Sequence, residues 1–321
     1  MAEPRETLMN SNQPTSSVRD LMDAVNRVLL DKADVVELVT VCLVAGGHVL
    51  LEDVPGVGKT ILAKALARAL GSSFRRIQFT SDMLPADVIG VSVFDAGESR
   101  FVFNPGPIFA QMVLADEINR TPPRTQSALL EAMSEGQVTV DNTTHALPES
   151  YFVIATQNPL ELHGTYPLPE SQMDRFMMSL TMGYPSDTAE RSVIVQDDDS
   201  QRLEAVPALA QHEELSAWCR ASQKPMVKDA VVAYIQAILK GTRESEEILL
   251  GASPRAGIQL YRASRALAWL RGRDFVTPDD IRTLAPHVLA HRLWLHGERS
   301  GGRRQQSRNV LLKIVESVPL P

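Results

Sequence analysis

Four side chains concentrate the chemistry of this sequence: Lys59 and Thr60, then Asp116 and Glu117, with Asp116 falling 57 residues after Lys59. Lys59 and Thr60 close the stretch Asp53-Val54-Pro55-Gly56-Val57-Gly58-Lys59-Thr60, which follows the apolar run Val49-Leu50-Leu51 and opens a helix-like segment, Ile61 to Leu70. A glycine-rich turn between strand and helix wraps phosphates. Its backbone N–H groups face the anion, and the helix N-terminus adds partial positive charge. In such a turn the lysine reaches the β- and γ-phosphates and the next hydroxyl holds Mg²⁺. Asp53, Val54, Pro55, Gly56, Val57, Gly58, Lys59, Thr60 and Ile61 are therefore expected to bind a nucleoside triphosphate. The strict pattern opens on Gly where Asp53 stands, and Asp tolerates left-handed backbone angles.

The second pair ends an apolar, strand-like run, Val113-Leu114-Ala115. Asp116 is expected to join Thr60 in holding Mg²⁺, usually through water. Glu117 is expected to orient and polarise an attacking water. A third strand-like run, Tyr151 to Ala155, leads into Thr156-Gln157-Asn158-Pro159. Asn158 there suits the lytic water or the γ-phosphate, and equally a plain turn. Arg175 ends the short helical stretch Pro169 to Phe176, either as an arginine finger for a neighbouring site or as a surface ion pair with Asp174 or Glu170. In Gly251-Ala252-Ser253-Pro254-Arg255, Ser253 reads as a helix N-cap and Pro254 as the first helical residue. That puts Arg255 in the first turn, where the helix dipole disfavours a cation unless an anion faces it. His287 and His291 sit four apart, but no acidic third ligand follows, and a solvated basic face is the expectation.

These residues need a frame. Short β-prone runs at His48–Leu51, Arg76–Phe79, Met112–Ala115 and Tyr151–Ala155 alternate with helical stretches, the pattern of a parallel sheet flanked by helices. Val18 to Leu43 reads as helix. Val91–Phe94 and Arg100–Phe103 read as a hairpin, and Gln137–Val140 with Asp141-Asn142 as another. After Pro185 an acidic stretch, Asp197 to Asp199, leads to helical patterns from about Glu213, with Thr277-Pro278-Asp279-Asp280 as one helix start. The division expected is a disordered tail over 1–17, an α/β core over 18–183, a linker over 184–212 and a helical domain over 213–321.

Two cysteines in 321 residues exclude a disulfide framework and suit a reducing compartment. No apolar run reaches the length of a membrane span, and the polar N-terminus lacks a signal-peptide core. The expected location is cytoplasmic. The net charge of −7 is uneven: residues 251–321 hold 12 Lys/Arg against 5 Asp/Glu. Without a nucleic-acid motif or interleaved aromatics, the expectation is that this basic end faces acids of a neighbouring domain or subunit, or a phosphate, and not nucleic acid.

Taken together the phrases resemble the AAA+ ATPases, and within them the MoxR family. They are Leu51 to Thr60, Ala115-Asp116-Glu117-Ile118-Asn119-Arg120, Gln126 to Met133, Ala155 to Pro159 and Gly251 to Ala256, with Gly272 to Val276 and the ending Val318-Pro319-Leu320-Pro321. The resemblance runs from about Val18 to Pro321. It implies a P-loop AAA+ fold, with a parallel sheet flanked by helices, a helix-2 insert near 91–103, a pre-sensor hairpin near 137–146 and a C-terminal all-helical lid. It implies ATP and Mg²⁺ as ligands, Asn158 as sensor 1, Arg175 as arginine finger and Arg255 as sensor 2. It places Asn119, Arg120 and Arg124 near a subunit interface, and Gln78 as a polar residue restraining Glu117. It further implies a ring, commonly a hexamer, that remodels a protein client with a von Willebrand factor A-domain partner. Rival readings are a magnesium-chelatase-like or DNA-handling motor, a small-molecule kinase, or a nucleotide switch that does not hydrolyse.

Overall fold

Short apolar segments separated by helices pack as parallel strands only if helices cover both faces of the sheet. The computed structural model describes residues 16–159, 164–195, 199–297 and 303–321. Most of the expected tail and Asp197-Asp198 of the acidic stretch lie outside these residues. The described residues open with α1 (Ser16–Val28) and α2 (Ala33–Val44), where one helix was expected. The break falls at Asp31, whose φ is 60° and whose carboxylate accepts the Ser186 N–H at 3.0 Å. Then come β1 (Val49–Glu52), α3 (Lys59–Ala69), β2 (Phe74–Gln78) and α4 (Pro85–Ile89). The hairpin β3 (Gly90–Asp95) and β4 (Arg100–Pro105) precedes β5 (Met112–Asp116) and α5 (Pro123–Glu135). A second hairpin, β6 (Gln137–Val140) and β7 (Thr143–Ala146), turns through Asp141 and Asn142, both at positive φ as a tight hairpin requires. The core ends with β8 (Phe152–Gln157), α6 (Glu170–Met173) and β9 (Met178–Leu180).

The sheet order is β2-β5-β8-β1-β9, and every pairing is parallel. Side chains alternate between its faces. Val49, Leu51, Met112, Leu114, Phe152 and Ile154 pack with α1, α2 and α3. Leu50, Val113, Ala115, Val153 and Ala155 pack on the other side with Leu129 and Leu130 of α5.

The segment expected as a linker, 184–212, carries α7 (Asp187–Val195) and α8 (Asp199–Glu204). It is also tied back to α3. The last carbonyls of a helix lack partners within it, and that of Ala69 accepts N–H groups from Leu209 and Ala210, while Arg68 donates to the Val206 carbonyl. The C-terminal part holds α9 (His212–Ala221), α10 (Asp229–Glu244), β10 (Ile248–Leu250), α11 (Pro254–Leu270), α12 (Pro278–Leu289), β11 (Trp294–Leu295) and α13 (Arg303–Ser317). It is helical apart from the two-stranded β10–β11 ribbon. Its buried residues, among them Trp218, Leu260, Trp269 and Leu284, continue the apolar cluster of α1 to α3 without interruption. Its basic residues meet acids of the core: Arg271 pairs with Glu37, Arg292 with Asp174, and Arg304 with Glu52.

Candidate active site

Parallel pairing brings the carboxyl ends of four strands level, with Glu52 opposite Gln157 and Gln78 opposite Asp116. Ligands of such sheets bind at that edge. The loop after β1 turns through Gly56 (φ 86°) and Gly58 (φ 95°), angles that favour glycine, and Gly58 caps α3. A cleft of about 350 Å³ opens there. Pro55, Gly56, Gly58, Lys59, Thr60 and Ile61 form one wall, and Arg76, Gln78, Asp116, Glu117, Thr156 and Asn158 form the other.

Asp53, Val54 and Val57 do not line the cleft. Asp53 is buried and does not adopt the left-handed angles its place in the motif suggested. Its carboxylate instead accepts the N–H groups of Val54 at 3.0 Å and Gly183 at 2.7 Å, pinning the loop to the end of β9. Lys59 Nζ donates to the carbonyls of Asp53 at 2.7 Å and Val54 at 3.0 Å. Burial lowers the Lys59 pKa, against the opposing pull of Asp53, Asp116 and Glu117.

Thr156 organises the opposite wall. Its hydroxyl donates to Asp116 Oδ1 at 2.6 Å and accepts the Glu117 N–H at 2.8 Å. Glu117 needs that anchor, because its backbone lies in the left-handed region (φ 57°, ψ 49°), which strains a residue with a side chain. The Glu117 carboxylate accepts Gln78 Nε2 at 2.7 Å and lies 3.1 Å from Arg120 Nε. Asp116 Oδ2 accepts Arg76 Nε and Nη2 at 3.0 and 2.6 Å. Buried Gln126 donates to the carbonyls of Ile118, Thr121 and Tyr166, and so fixes the turn after Glu117. Asn119 is buried, Arg120 faces its own Glu117 and Arg124 is exposed; of the three expected at an interface, Arg124 is the exposed one.

The two candidate arginines lie outside the cleft. Arg175 follows α6, and its Nη1 donates to the Leu130 carbonyl at 2.7 Å and to Ser134 Oγ at 2.6 Å, both on α5. Asp174 does not pair with it. Asp174 meets Arg292 and, at 3.8 Å, Arg255. Ser253 caps α11 as expected, accepting the Ala256 N–H. His287 and His291 do not form the expected solvated face. Burial drives the His287 pKa down to about 4, and His291 Nε2 donates to the Phe176 carbonyl at 3.1 Å. Among the described residues no His, Cys, Asp and Glu side chains cluster as a metal site. Mg²⁺ asks less of the protein, one or two oxygen ligands with water and phosphate completing the shell. The Thr60 hydroxyl and Asp116 carboxylate, both on the cleft, fit that demand.

The model of the ATPase family associated with various cellular activities (AAA) matches residues 48–178, and that of the AAA lid domain matches residues 240–309. Chaperone MoxR1 of Mycobacterium tuberculosis is 40% identical over 92% of this chain and 80% of its own length. The chain belongs to the MoxR family of AAA+ ATPases. Two further proteins are similar over nearly the whole chain. The uncharacterised protein YeaC of Bacillus subtilis is 47% identical over 94% of this chain and 93% of its own. A crystal structure of a candidate ATPase from Cytophaga hutchinsonii superposes with a TM-score of 0.86 at 34% identity, covering 95% of each chain.

Within this MoxR-family fold, sequence reasoning missed Arg76, Thr156 and Gln126. Thr156 stood beside Asn158 in the quoted phrase, and its alignment with the end of β1 was the available signal (Leu51 opposite Thr156). Gln126 opened one of the quoted phrases but nothing there gave its role, and Arg76 left no signal, since an arginine in a strand is ordinary.

Proposed function

We propose that this chain hydrolyses ATP at a site shared by two subunits of a ring, and that the ring, a hexamer, remodels a protein client in the cytoplasm. One observation carries the reading. The phosphate loop, Asp116, Glu117 and Asn158 line one cleft, yet Arg175 and Arg255 stand elsewhere. The loop amides bind the phosphates, and Lys59 exchanges the Asp53 and Val54 carbonyls for the β- and γ-phosphates. Thr60 and Asp116 would hold Mg²⁺, which would supply charge neutralisation on those phosphates. Glu117 orients water for in-line attack, and Asn158 steadies the water or the γ-phosphate. Arg175 of a neighbouring subunit stabilises transition-state charge. Arg255 sits with Asp174 on the Arg175 side, and we assign it to that same neighbouring site.

The base takes the adjacent cavity of about 400 Å³, lined by Asn26, Leu29, residues 31–35 and Met182. The two cavities share a wall: a Cβ on Gly58 would lie 3.1 Å from Leu29 and 3.7 Å from Met182. Client contact is assigned to the first hairpin. Phe94 and Phe101 face each other across it with ring centroids 5.4 Å apart, and Phe101 remains 71% exposed. Exposed apolar side chains of this kind mark interaction surfaces. The von Willebrand factor A-domain partner rests on the family resemblance alone.

The test is size-resolved ATPase activity of the wild type, Glu117→Gln and Arg175→Ala. The reading requires an ATP-dependent ring, with both variants binding nucleotide and failing to turn over. A hydrolysing monomer indifferent to Arg175→Ala sinks it.

A further inference from the structure

Arg175 stands between two residues that the lid of its own chain holds. On one side is Asp174. Its carboxylate accepts Arg292 Nε at 2.8 Å, and its carbonyl lies 3.4 Å from Gln259 Nε2 and from Arg292 Nη2. On the other side is Phe176, whose carbonyl accepts Arg292 Nη2 at 2.6 Å and faces His291 Nε2 at 3.1 Å. Arg292 completes its set with Gln259 Oε1 and the Val288 carbonyl. One guanidinium therefore spans the finger residue from both flanks.

Arg292 is 6% exposed. A buried guanidinium is costly unless its donors are matched by charge and geometry. Here the charge comes from Asp174, while Gln259 and Val288 supply the acceptors on the lid side. Simple anchoring of lid to core does not require that arrangement, since the apolar cluster already joins the two. What the guanidinium adds is a fixed backbone at 174–176. The Arg175 side chain is in turn steadied from α5 through Nη1. Among the described residues, Nε and Nη2 of Arg175 have no protein partner, so they remain for an anion. The same lid also reaches the strand ends beside its own phosphate loop. Arg304 of α13 pairs with Glu52, the last residue of β1, and donates to the Leu180 carbonyl at 3.2 Å. The lid thus touches the strand ends beside its own nucleotide site through Arg304 and the two residues that flank its own Arg175 through Arg292.

We infer that Arg292, through Asp174 and the Phe176 carbonyl, is a positioning residue that lets the lid of one subunit set the reach of its Arg175 into the next subunit's site. This rests on the proposal that Arg175 acts between subunits. A lid that shifts with its own nucleotide then changes the rate next door, with Arg292 as the rigid link.

The experiment mixes full-length chains. Arg292→Lys keeps the charge but gives up the planar fork that spans Asp174 and Phe176. Alone, its ATP-dependent assembly should be intact, its kcat reduced about tenfold or more, and its KM for ATP within about twofold of wild type. Glu117→Gln is expected to be inactive alone, yet it carries a well-placed finger. Mixed rings should regain turnover, because Glu117 of one chain meets Arg175 of the other. The mixture of Arg175→Ala with Glu117→Gln is the control. If that control regains nothing, the inter-subunit finger fails and takes this inference with it. If the control is rescued and the Arg292→Lys mixture is not, the positioning role alone is overturned. Wild-type kcat in Arg292→Lys also overturns it. Should Arg292→Lys fail to assemble, Gln259→Leu, which removes one acceptor of Arg292 and one donor to Asp174, is put through the same mixture and judged by the same outcomes.

Discussion

Gln78 Nε2 donates to Glu117 Oε2 at 2.7 Å, from the end of the edge strand β2 to the residue after β5. The same glutamine accepts Arg76 Nη2 through Oε1 at 2.6 Å. Gln78 therefore reads Glu117 on one side and, through Arg76, Asp116 on the other. A carboxylate held by an amide donor is not free to turn to an attacking water. Gln78→Ala should raise client-free ATP turnover roughly three- to tenfold by releasing Glu117. Steady-state kcat measured without client decides it, and an unchanged or lower kcat counts against a restraining role.

Thr156 joins both carboxylate residues, so its loss should cost stability and turnover together. Thr156→Val orphans the part-buried Glu117 N–H and a buried Asp116 oxygen, at a cost of about 1–3 kcal/mol for the buried group. Turnover should fall roughly 100-fold, because the left-handed geometry of Glu117 loses its anchor. Thr156→Ser keeps the hydroxyl and should retain most of both. Denaturant unfolding and kcat on the two variants check this; a valine variant equal to the serine variant removes Thr156 from the site.

The parts of the fold legible in the sequence were those set by local rules. The phosphate loop is contiguous, and the runs of β1, β5 and β8 are buried on both faces and so read as unbroken apolar segments. Strand β9 was not legible, because Met178-Ser179-Leu180 is three residues long and owes its place to pairing with β1. The helices of 187–204 were masked by polar composition, and the break at Asp31 by a hydrophobic pattern that continues across it. Its stabilising bond comes from Ser186, 155 residues away.

The site divides in the same way. Lys59, Thr60, Asp116, Glu117 and Asn158 sit in phrases whose order carries meaning, and they line one cleft. Arg76 and Gln78 reach it only because the β2–β5 register places Gln78 level with Asp116. The roles of Asp53 and Arg292 depend on partners more than 100 residues distant, Gly183 and Asp174. No local pattern encodes those contacts.

His48 supplies a pH dependence that is separate from catalysis. Its Nδ1 accepts the Val153 N–H at 3.1 Å, so Nε2 carries the proton and faces the Met133 carbonyl at 3.2 Å. Burial lowers its pKa from 6.5 to about 4. The folded state therefore binds fewer protons than the unfolded chain between those values, and stability is lost as pH falls from 6.5 toward 4. At about 1.4 kcal/mol per pH unit, this ring alone accounts for roughly 3 kcal/mol across that window. Urea unfolding at pH 7.5 and pH 4.5 should show the loss, and His48→Gln should flatten it. An equal slope in the variant would reassign the effect to other groups, His287 first.

The cavity proposed for the base gives a prediction that separates binding from chemistry. Met182 lines the cavity of Asn26 and Leu29 and approaches the phosphate loop at Gly58. Met182→Arg would fill that space with a long charged side chain without touching Lys59, Thr60, Asp116 or Glu117. ATP affinity should drop at least tenfold, about 1.4 kcal/mol, while inorganic tripolyphosphate, which lacks a base, should bind as it does to wild type. Calorimetric titration with both ligands reads the difference directly. Equal weakening of both would mean that the substitution damages the phosphate loop, and unchanged ATP binding would place the base outside this cavity.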